Sequence, residues 1–231
     1  MAQITDYDEN YYLENNQSGD RIANFFFSDL LKKYFKNGKI LEYGCGSGFF
    51  IQKFSSHVYQ KMVFDISDYA MQQTLKNNPY AEPIKKPSKE IKKGSLNAIA
   101  ALHVLEHIVD PADTLLLFRN KLSKNGILFF TVPNMSSLGR SMKKEEWFGF
   151  QDKTHVSLLS PEEWYLLAEN SGFEILLKGS DGLWDVPYLS KVPVFLQKLL
   201  FYPTSAIQIW TKRTFLPIRL GENLIVIARK K

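Results

Sequence analysis

Short apolar runs alternate with longer amphipathic stretches along this chain. Seven runs have the length and composition of strands: residues 39–43, 58–64, a short one near Ile84, 97–102, 127–132, 173–178 and 223–229. The stretches between them have helical spacing and begin at capping residues such as Ser67, Asp110 and Ser160. Because strands that alternate with helices build parallel sheets, the pattern predicts a doubly wound α/β fold.

A glycine-rich turn follows the first predicted strand. It consists of an acid and three alternating glycines: Glu42, Gly44, Gly46 and Gly48. Such a turn lets the backbone come close to a ligand, and we predict that it leads into a helix over residues 48–55. It departs from the dinucleotide pattern G-x-G-x-x-G, because Phe49 stands in the third-glycine position, and no P-loop Lys-Ser/Thr pair follows. A nucleoside site is favoured over a plain tight turn.

A second acid, Asp65, ends the second predicted strand, 21 residues after Gly44. A carboxylate in this position can accept hydrogen bonds from both ribose hydroxyls. Alone, it could equally be an acid that complements a helix N-terminus. Together with the glycine turn it supports nucleoside binding.

Length and composition limit the class of protein. The 231 residues suffice for one α/β core with a small appended element. A single cysteine, Cys45, excludes an internal disulfide and a cysteine-based zinc site. The first ten residues are polar and acidic, unlike a signal or transit peptide, and no apolar run reaches transmembrane length. We therefore expect a cytoplasmic protein.

Four segments together resemble the class I S-adenosylmethionine-dependent methyltransferases. They are Glu42–Gly48, Val63–Ser67, Ala101–Ile108 with the sequence ALHVLEHI, and Gly126–Asn134 with the sequence GILFFTVPN. The resemblance covers roughly residues 38–178 and is strongest to the small-molecule branch, which includes ubiquinone-biosynthesis O-methyltransferases and sugar methyltransferases. It implies a Rossmann-like, seven-stranded sheet, mostly parallel with the last strand antiparallel, and S-adenosyl-L-methionine as cofactor.

The resemblance also implies roles for the residues that match. Gly44, Gly46 and Gly48 would approach the methionine part of the cofactor, Glu42 would position their loop, and Asp65 would hold the ribose. Leu102 and His103 would line the sulfonium side.

The N-terminal aromatic run, with Tyr12, would close over the cofactor as a lid. A hydrophobic staple onto the first helix is the other interpretation of that run.

Two histidines are candidate catalytic bases. His107 could remove a proton from an acceptor hydroxyl near neutral pH, and His155 lies in a segment expected to roof the acceptor site together with Trp147. His155 could instead order its loop. His103, Glu106 and His107 could suit a transition metal, but we predict no metal ligands.

The predicted organisation is an N-terminal lid and helix over residues 1–37, followed by a methyltransferase domain over 38–231 with a helical insertion at about 183–220. Residues 191–231 contain eight Lys or Arg and one acid, so this segment has a charge of +7. Because the whole chain has a net charge of +5, residues 1–190 have a charge of −2. Residues 188–220 interleave these cations with apolar side chains. They could contact a membrane surface, or pack on the core or a second subunit.

The expected function is methylation of a small-molecule acceptor, most simply the hydroxyl of a sugar, a quinone precursor or a lipid-linked metabolite. The alternatives are an N-methyltransferase and a non-catalytic cofactor-binding or scaffold protein. A nucleic-acid partner is not expected, because the fourth strand lacks the N/D-P-P-Y/F motif and the basic surface is confined to the C-terminal region.

Overall fold

The computed structural model describes residues 7–14 and 19–231. The strands within these ranges are β1 Gly38–Tyr43, β2 Tyr59–Phe64, β3 Glu82–Pro83, β4 Leu96–Leu102, β5 Leu122–Pro133, β6 Phe173–Ser180 and β7 Asn223–Lys230. The helices are α1 Glu9–Glu14, α2 Ile22–Tyr34, α3 Asp68–Asn77, α4 Pro87–Glu90, α5 Pro111–Lys121, α6 Leu138–Lys143, α7 Phe148–Gln151, α8 Pro161–Asn170 and α9 Val194–Thr211. Short 3₁₀ turns occupy Ile51–Lys53, Leu105–His107, Lys144–Glu146 and Ile218–Leu220.

The strands form one seven-stranded sheet in the order β3-β2-β1-β4-β5-β7-β6. Strand β1 runs parallel to both neighbours, with Gly38 opposite Tyr59 of β2 and Ile40 opposite Ala98 of β4. The sheet is mixed but mostly parallel, with helices on both sides, which confirms the predicted fold class. In such sheets a ligand binds at the carboxyl ends of the strands, where the glycine turn lies.

One compact unit comprises residues 7–14, 19–102, 117–129 and 230. Its core is built on β1, where Ile40 and Leu41 are at most 1% exposed. The ring of Phe129 lies 6.0 Å from that of Phe27 and 6.1 Å from that of Phe50, measured between centroids. Aromatic side chains buried this way each contribute about 1.5–3 kcal/mol to folding.

The other compact unit comprises residues 103–116, 130–229 and 231. Five consecutive residues of β7, Leu224–Ala228, are fully buried, as expected of a strand covered on both faces. Helix α8 begins with the predicted capping box. Ser160 Oγ accepts from the Glu163 amide at 3.3 Å, and the Glu163 carboxylate accepts from the Ser160 amide at 2.7 Å.

The predicted helix over residues 48–55 is wrong, since only the 3₁₀ turn Ile51–Lys53 forms there. The amide of Ile51 donates to Glu42 Oε2 at 3.1 Å, and the carbonyl of Ser47 accepts from Asn77 Nδ2 at 2.9 Å. Both groups of a would-be i→i−4 helical bond are therefore used by side chains outside the segment.

The insertion near residues 183–220 contains one long helix, α9, followed by the 3₁₀ turn Ile218–Leu220. Helix α5 ends at Lys121, directly before β5 begins at Leu122. Within the described ranges, no helix combines the length and the apolar character that crossing a bilayer requires.

Candidate functional site

The glycine loop that follows β1 has two faces with different surroundings. A Cβ added at Gly46 would meet only the Tyr12 ring, at an ordinary contact distance of 3.7 Å, so this part of the backbone has room beside it. A Cβ added at Gly48 would lie 2.8 Å from both Thr74 and Asn78. Both glycines have positive φ, +51° and +73°, which disfavours any other residue. The loop therefore presents backbone to a ligand at Gly46 and packs against α3 at Gly48.

Side chains at the end of α3 hold three successive carbonyls of this loop. Thr74 Oγ1 donates to the Gly46 carbonyl at 2.7 Å, and Asn77 and Asn78 donate to the next two carbonyls, each at 2.9 Å. Asn78 is itself fixed, because Lys61 Nζ donates to its Oδ1 at 3.2 Å. These residues were not predicted from the sequence. Their only signal was a Thr, two Asn and a buried strand Lys near a glycine loop, which is too common a combination to be specific.

Replacing Thr74 with valine tests this support. Thr74 is fully buried, and valine keeps its shape but leaves the Gly46 carbonyl without its donor. We expect a loss of about 1–2 kcal/mol in the free energy of unfolding and several-fold weaker S-adenosylmethionine binding, measured by denaturation and calorimetry. Thr74→Ser, which retains the hydroxyl, is the matched control. Equal losses in both variants would mean that packing, not the hydrogen bond, holds the loop.

Asp65 closes the same loop. Its Oδ2 accepts from the Gly46 amide at 2.8 Å and its Oδ1 from the Ser67 amide at 2.9 Å. Each carboxylate oxygen retains a second lone pair for a ligand hydroxyl. Burial raises the pKa of Asp65, and the backbone amides partly oppose that rise. The carboxylate is thus placed between the glycine loop and the start of α3, as a ribose-binding acid requires.

Glu42 is 3% exposed and lies beneath the loop. Burial raises its pKa well above the ordinary value, and the nearby Asp65 adds to the rise. Oε2 of Glu42 accepts a hydrogen bond from the Ile51 amide, so the Glu42 carboxylate holds the segment that follows the loop.

Tyr12 lies against the glycine loop from the N-terminal side. It is 4% exposed, its ring lies 5.6 Å from that of Tyr69, and burial raises its pKa. Helix α1, which carries it, is capped by Asp8, whose Oδ1 accepts from the Tyr11 amide at 3.0 Å. The structure thus brings together Tyr12, Glu42, Asp65 and the three glycines of the predicted cofactor set.

These residues fit S-adenosylmethionine. The backbone at Gly46 is open on the ligand side, Asp65 can accept from ribose hydroxyls, and the carbonyls of the loop are turned to α3. Leu102, which was also predicted to contact the cofactor, is the last residue of β4.

His103 follows Leu102 in an unusual backbone conformation, with φ of +55°. Its amide donates to the Thr131 carbonyl at 2.9 Å, and its Nδ1 lies 3.1 Å from Glu106 Oε1. Strain of this kind in a non-glycine residue concentrates at functional sites. His103 is therefore fixed by β5 on one side and by a fully buried carboxylate on the other.

His107 is held by a chain of two hydrogen bonds. Thr154 Oγ1 donates its only proton to Asp152 Oδ1 at 2.5 Å, so toward His107 Nδ1, at 2.8 Å, it must accept. The proton of His107 is therefore assigned to Nδ1, and Nε2 carries the lone pair. Burial lowers the pKa of His107, the nearby Glu106 opposes this, and the pKa of Asp152 is lowered by its bonds to Thr154. The imidazole is thus neutral at neutral pH, as a general base requires.

The structure brings His155 next to His107, with ring centroids 4.7 Å apart. His155 Nδ1 donates to the Gly149 carbonyl at 2.7 Å, and its Nε2 lies 3.9 Å from Asp152 Oδ2. A ring bonded to the backbone in this way orders its loop, in agreement with the second interpretation of His155.

Backbone hydrogen bonds connect the two segments that carry these histidines. The Glu106 carbonyl accepts from the amides of Val156 and Ser157, both at 2.9 Å, and Ser157 Oγ donates to the Ile108 carbonyl at 2.7 Å. The relative placement of His107 and His155 is therefore set by main-chain contacts, which no local sequence pattern encodes.

A carboxylate and two imidazoles also meet here. Glu106, His107 and His155 each offer one atom that could ligate a metal, and these atoms lie within 4.8 Å of one another. Among the described residues, Glu106 Oε2 has no hydrogen-bond partner although it is buried. One oxygen and two nitrogens suit a borderline transition metal. No metal ligand was predicted from the sequence, so this grouping is a finding of the structure.

Trp147 does not line an acceptor site, contrary to the prediction. It is fully buried, and its Nε1 donates to Glu222 Oε2 at 2.7 Å. Glu222 also accepts from Ser137 Oγ at 2.9 Å and from the Tyr188 hydroxyl. Its pKa is raised by burial, which these donors oppose. Trp147 is therefore a structural anchor of the segment that leads to His155.

The fold and this donor loop define a class I S-adenosylmethionine-dependent methyltransferase. A family model described as a methyltransferase domain matches residues 14–178, more than half of the chain, and the protein belongs to that family. Methyl transfer from S-adenosylmethionine is thus the activity of the chain. A search of the curated proteins finds no match.

Solved structures share the fold. One is an S-adenosylmethionine-dependent methyltransferase of Thermotoga maritima, described as a possible histamine N-methyltransferase, with 19% identity, TM-score 0.64, and coverage of 96% of this chain and 94% of that one. Another, from Archaeoglobus fulgidus, has 17% identity, TM-score 0.64, and coverage of 96% and 100%. The (4+2)-cyclase SpnF has 16% identity, TM-score 0.59, and coverage of 89% and 80%. At such identities the likeness concerns the fold.

Proposed function

We propose that the protein transfers the methyl group of S-adenosylmethionine to a hydroxyl of a small molecule, with His107 as the general base. The observation that carries the proposal is the chain Asp152–Thr154–His107, which assigns a proton to Nδ1 and the lone pair to Nε2. A hydroxyl acceptor needs a base because it is protonated at neutral pH, whereas a neutral amine attacks with its own lone pair.

The residues of the donor site bind and orient. The glycine loop and Asp65 hold the cofactor, which supplies an electrophilic methyl group on a sulfonium when it is bound. Tyr12, whose ring a Cβ at Gly46 would meet at 3.7 Å, would lie beside the bound cofactor and shield it from water. Since methyl transfer needs the acceptor oxygen in line with the methyl carbon, orientation contributes much of the rate.

The residues around His107 handle the proton. As the acceptor oxygen attacks, its proton passes to His107 Nε2, and the developing positive charge is stabilised through Nδ1, Thr154 and Asp152. His155 supports the ring of His107 from the side. Asp152, with its lowered pKa, remains a carboxylate throughout.

A small-molecule acceptor is favoured over a nucleic acid by the charge distribution. The cations concentrate in residues 191–231, and residues 1–190 sum to −2. A nucleic-acid methyltransferase would need a basic surface around its catalytic residues.

The test of the donor site is calorimetric titration with S-adenosylmethionine. We expect wild type to bind, and Asp65→Asn to bind roughly 10- to 100-fold more weakly, because a charged acceptor for two hydroxyls is lost. Asp68→Asn, at the first position of α3, is the control and should bind as wild type does. Failure of wild type to bind would contradict the donor site.

The test of the acceptor is a panel of catechols, sugars and amines, with product mass and the methylated atom determined by nuclear magnetic resonance. Methylation of oxygen in at least one class supports the proposal. Methylation confined to nitrogen would contradict it. Binding of the donor without transfer to any member would favour the non-catalytic alternative, because a fold does not by itself fix a function.

A further inference from the structure

Helix α9 has the reverse of the side-chain distribution expected of a helix on a globular protein. Its two fully buried side chains, Gln197 and Gln208, are polar. Its large apolar side chains point to solvent, with exposed fractions of 63% for Phe195, 68% for Leu199 and 83% for Trp210. A surface helix normally buries its apolar stripe and exposes its polar residues.

The two glutamines explain how such a helix is attached. Gln197 accepts from the amides of Tyr188 and Leu189, at 2.6 and 3.0 Å, and donates to the Val192 carbonyl at 2.6 Å. Gln208 donates to the Ser180 carbonyl at 3.0 Å and accepts from the Phe215 amide at 2.8 Å. The helix is therefore held by hydrogen bonds to the adjoining chain, and its apolar face is not needed for attachment.

The exposed apolar residues form a continuous face. Phe195, Leu199, Tyr202, Ala206 and Trp210 recur at intervals of three or four, which places them on one side of the helix. Leu196, Leu200 and Ile207 widen this side, each between 45% and 65% exposed. Phe215, just beyond the helix, is 52% exposed. We call this set the outer face of α9. Contiguous apolar surface of this kind marks an interaction site.

Charge decides what the outer face contacts. Residues 188–220 contain five cations, Lys191, Lys198, Lys212, Arg213 and Arg219, and no acid. All five side chains are exposed. Lys198 lies beside Phe195 and Leu199, and Arg213 lies beside Trp210 and Phe215. Two copies of the chain paired through this face would bring these cations against each other, which disfavours a dimer. An anionic lipid surface instead matches both properties, since it accepts apolar and aromatic side chains at its interface and attracts cations beside them.

We propose that the outer face of α9 docks the protein on anionic lipid membranes, with the apolar side chains inserted at the level of the headgroups. The helix lies on the membrane and does not cross it, in agreement with the finding that no described helix is both long and apolar enough to span a bilayer. This proposal is independent of the acceptor and of His107.

The experiment is flotation of the full chain with vesicles of phosphatidylcholine alone or mixed equally with phosphatidylglycerol. We expect wild type to float with the mixed vesicles, and less so at high salt, because the cations are screened. The triple variant Lys198→Gln, Arg213→Gln, Arg219→Gln should bind about a hundredfold more weakly. Leu199→Glu should lose binding, whereas Leu166→Glu, at a residue of α8 that is 57% exposed, is the matched control and should float as wild type does.

Tryptophan fluorescence gives a second readout without a destabilising change. Trp147 and Trp164 are buried, and Trp184 is 36% exposed against 83% for Trp210. A blue shift on addition of mixed vesicles should therefore come mainly from Trp210, and Trp210→Phe should remove most of it, whereas Trp184→Phe should not. Absence of flotation by wild type would overturn the proposal. So would equal losses in Leu199→Glu and Leu166→Glu, or a dimer in sedimentation that Leu199→Glu dissociates.

Discussion

Replacing His107 with alanine should lower kcat for a hydroxyl acceptor by roughly 100- to 10,000-fold, the range that one positioned general base contributes. Calorimetry should show S-adenosylmethionine binding unchanged, because the donor loop is held by residues of α3 and by Asp65. The matched variant Thr154→Val removes the group that accepts the proton of Nδ1 and should reduce kcat less. A His107→Ala enzyme as active as wild type on a hydroxyl acceptor would rule out the base.

The pH profile separates a base from a merely structural histidine. Burial lowers the pKa of His107 below its ordinary 6.5, so the neutral form persists at neutral pH and the rate should fall only as the pH drops through that lowered value. The rate falls at low pH because protonation of His107 removes the lone pair that accepts the proton of the acceptor. His107→Ala should lose this acidic limb of the profile.

Repeating the assay with a chelator and with added divalent cations tests whether Glu106, His107 and His155 hold a metal.

Replacing Glu222 with alanine should lower the free energy of unfolding by about 3–5 kcal/mol, measured by urea denaturation. The carboxylate accepts from Trp147 Nε1, Ser137 Oγ and the Tyr188 hydroxyl, so its removal leaves three buried donors without an acceptor. It also opens a cavity beside Gly139, where a Cβ would lie 1.8 Å from Glu222 Oε1.

The control for Glu222 is a carboxylate of the same type on the surface. Glu174 is about half exposed and pairs with Arg229 at 2.7 Å, so Glu174→Ala should cost less than about 1 kcal/mol. Glu222→Gln keeps one acceptor oxygen in place, so its loss in the free energy of unfolding should lie between those of Glu222→Ala and Glu174→Ala. Similar losses for Glu222→Ala and Glu174→Ala would mean that the buried cluster contributes little.

The parts of the fold that were predicted correctly depend on neighbouring residues. The capping box at Ser160, the cap at Ser67, which accepts from the Ala70 amide, and the apolar strand runs are each complete within a few positions. The ribose-binding role of Asp65 stays a prediction, made because this acid follows β2 directly and comes 21 residues after Gly44.

What the sequence did not reveal depends on contacts between distant residues. Thr74 meets the Gly46 carbonyl across 28 positions, and Trp147 meets Glu222 across 75. The prediction that Trp147 lines the acceptor site was wrong for this reason, because no sequence pattern near Trp147 indicates that it contacts a buried carboxylate. The helix predicted over residues 48–55 failed likewise, because the amide of Ile51 bonds to Glu42.

The tight packing at Gly48 limits how this enzyme could be re-engineered for another cofactor. A G-x-G-x-x-G loop beginning at Gly44 would put a side chain at position 48, where φ is +73° and Thr74 and Asn78 lie 2.8 Å from any Cβ. Grafting that loop alone would therefore drive it off α3 and break the bonds to its carbonyls. The loop and α3 fit each other closely at this point, so the two are exchangeable only as a pair.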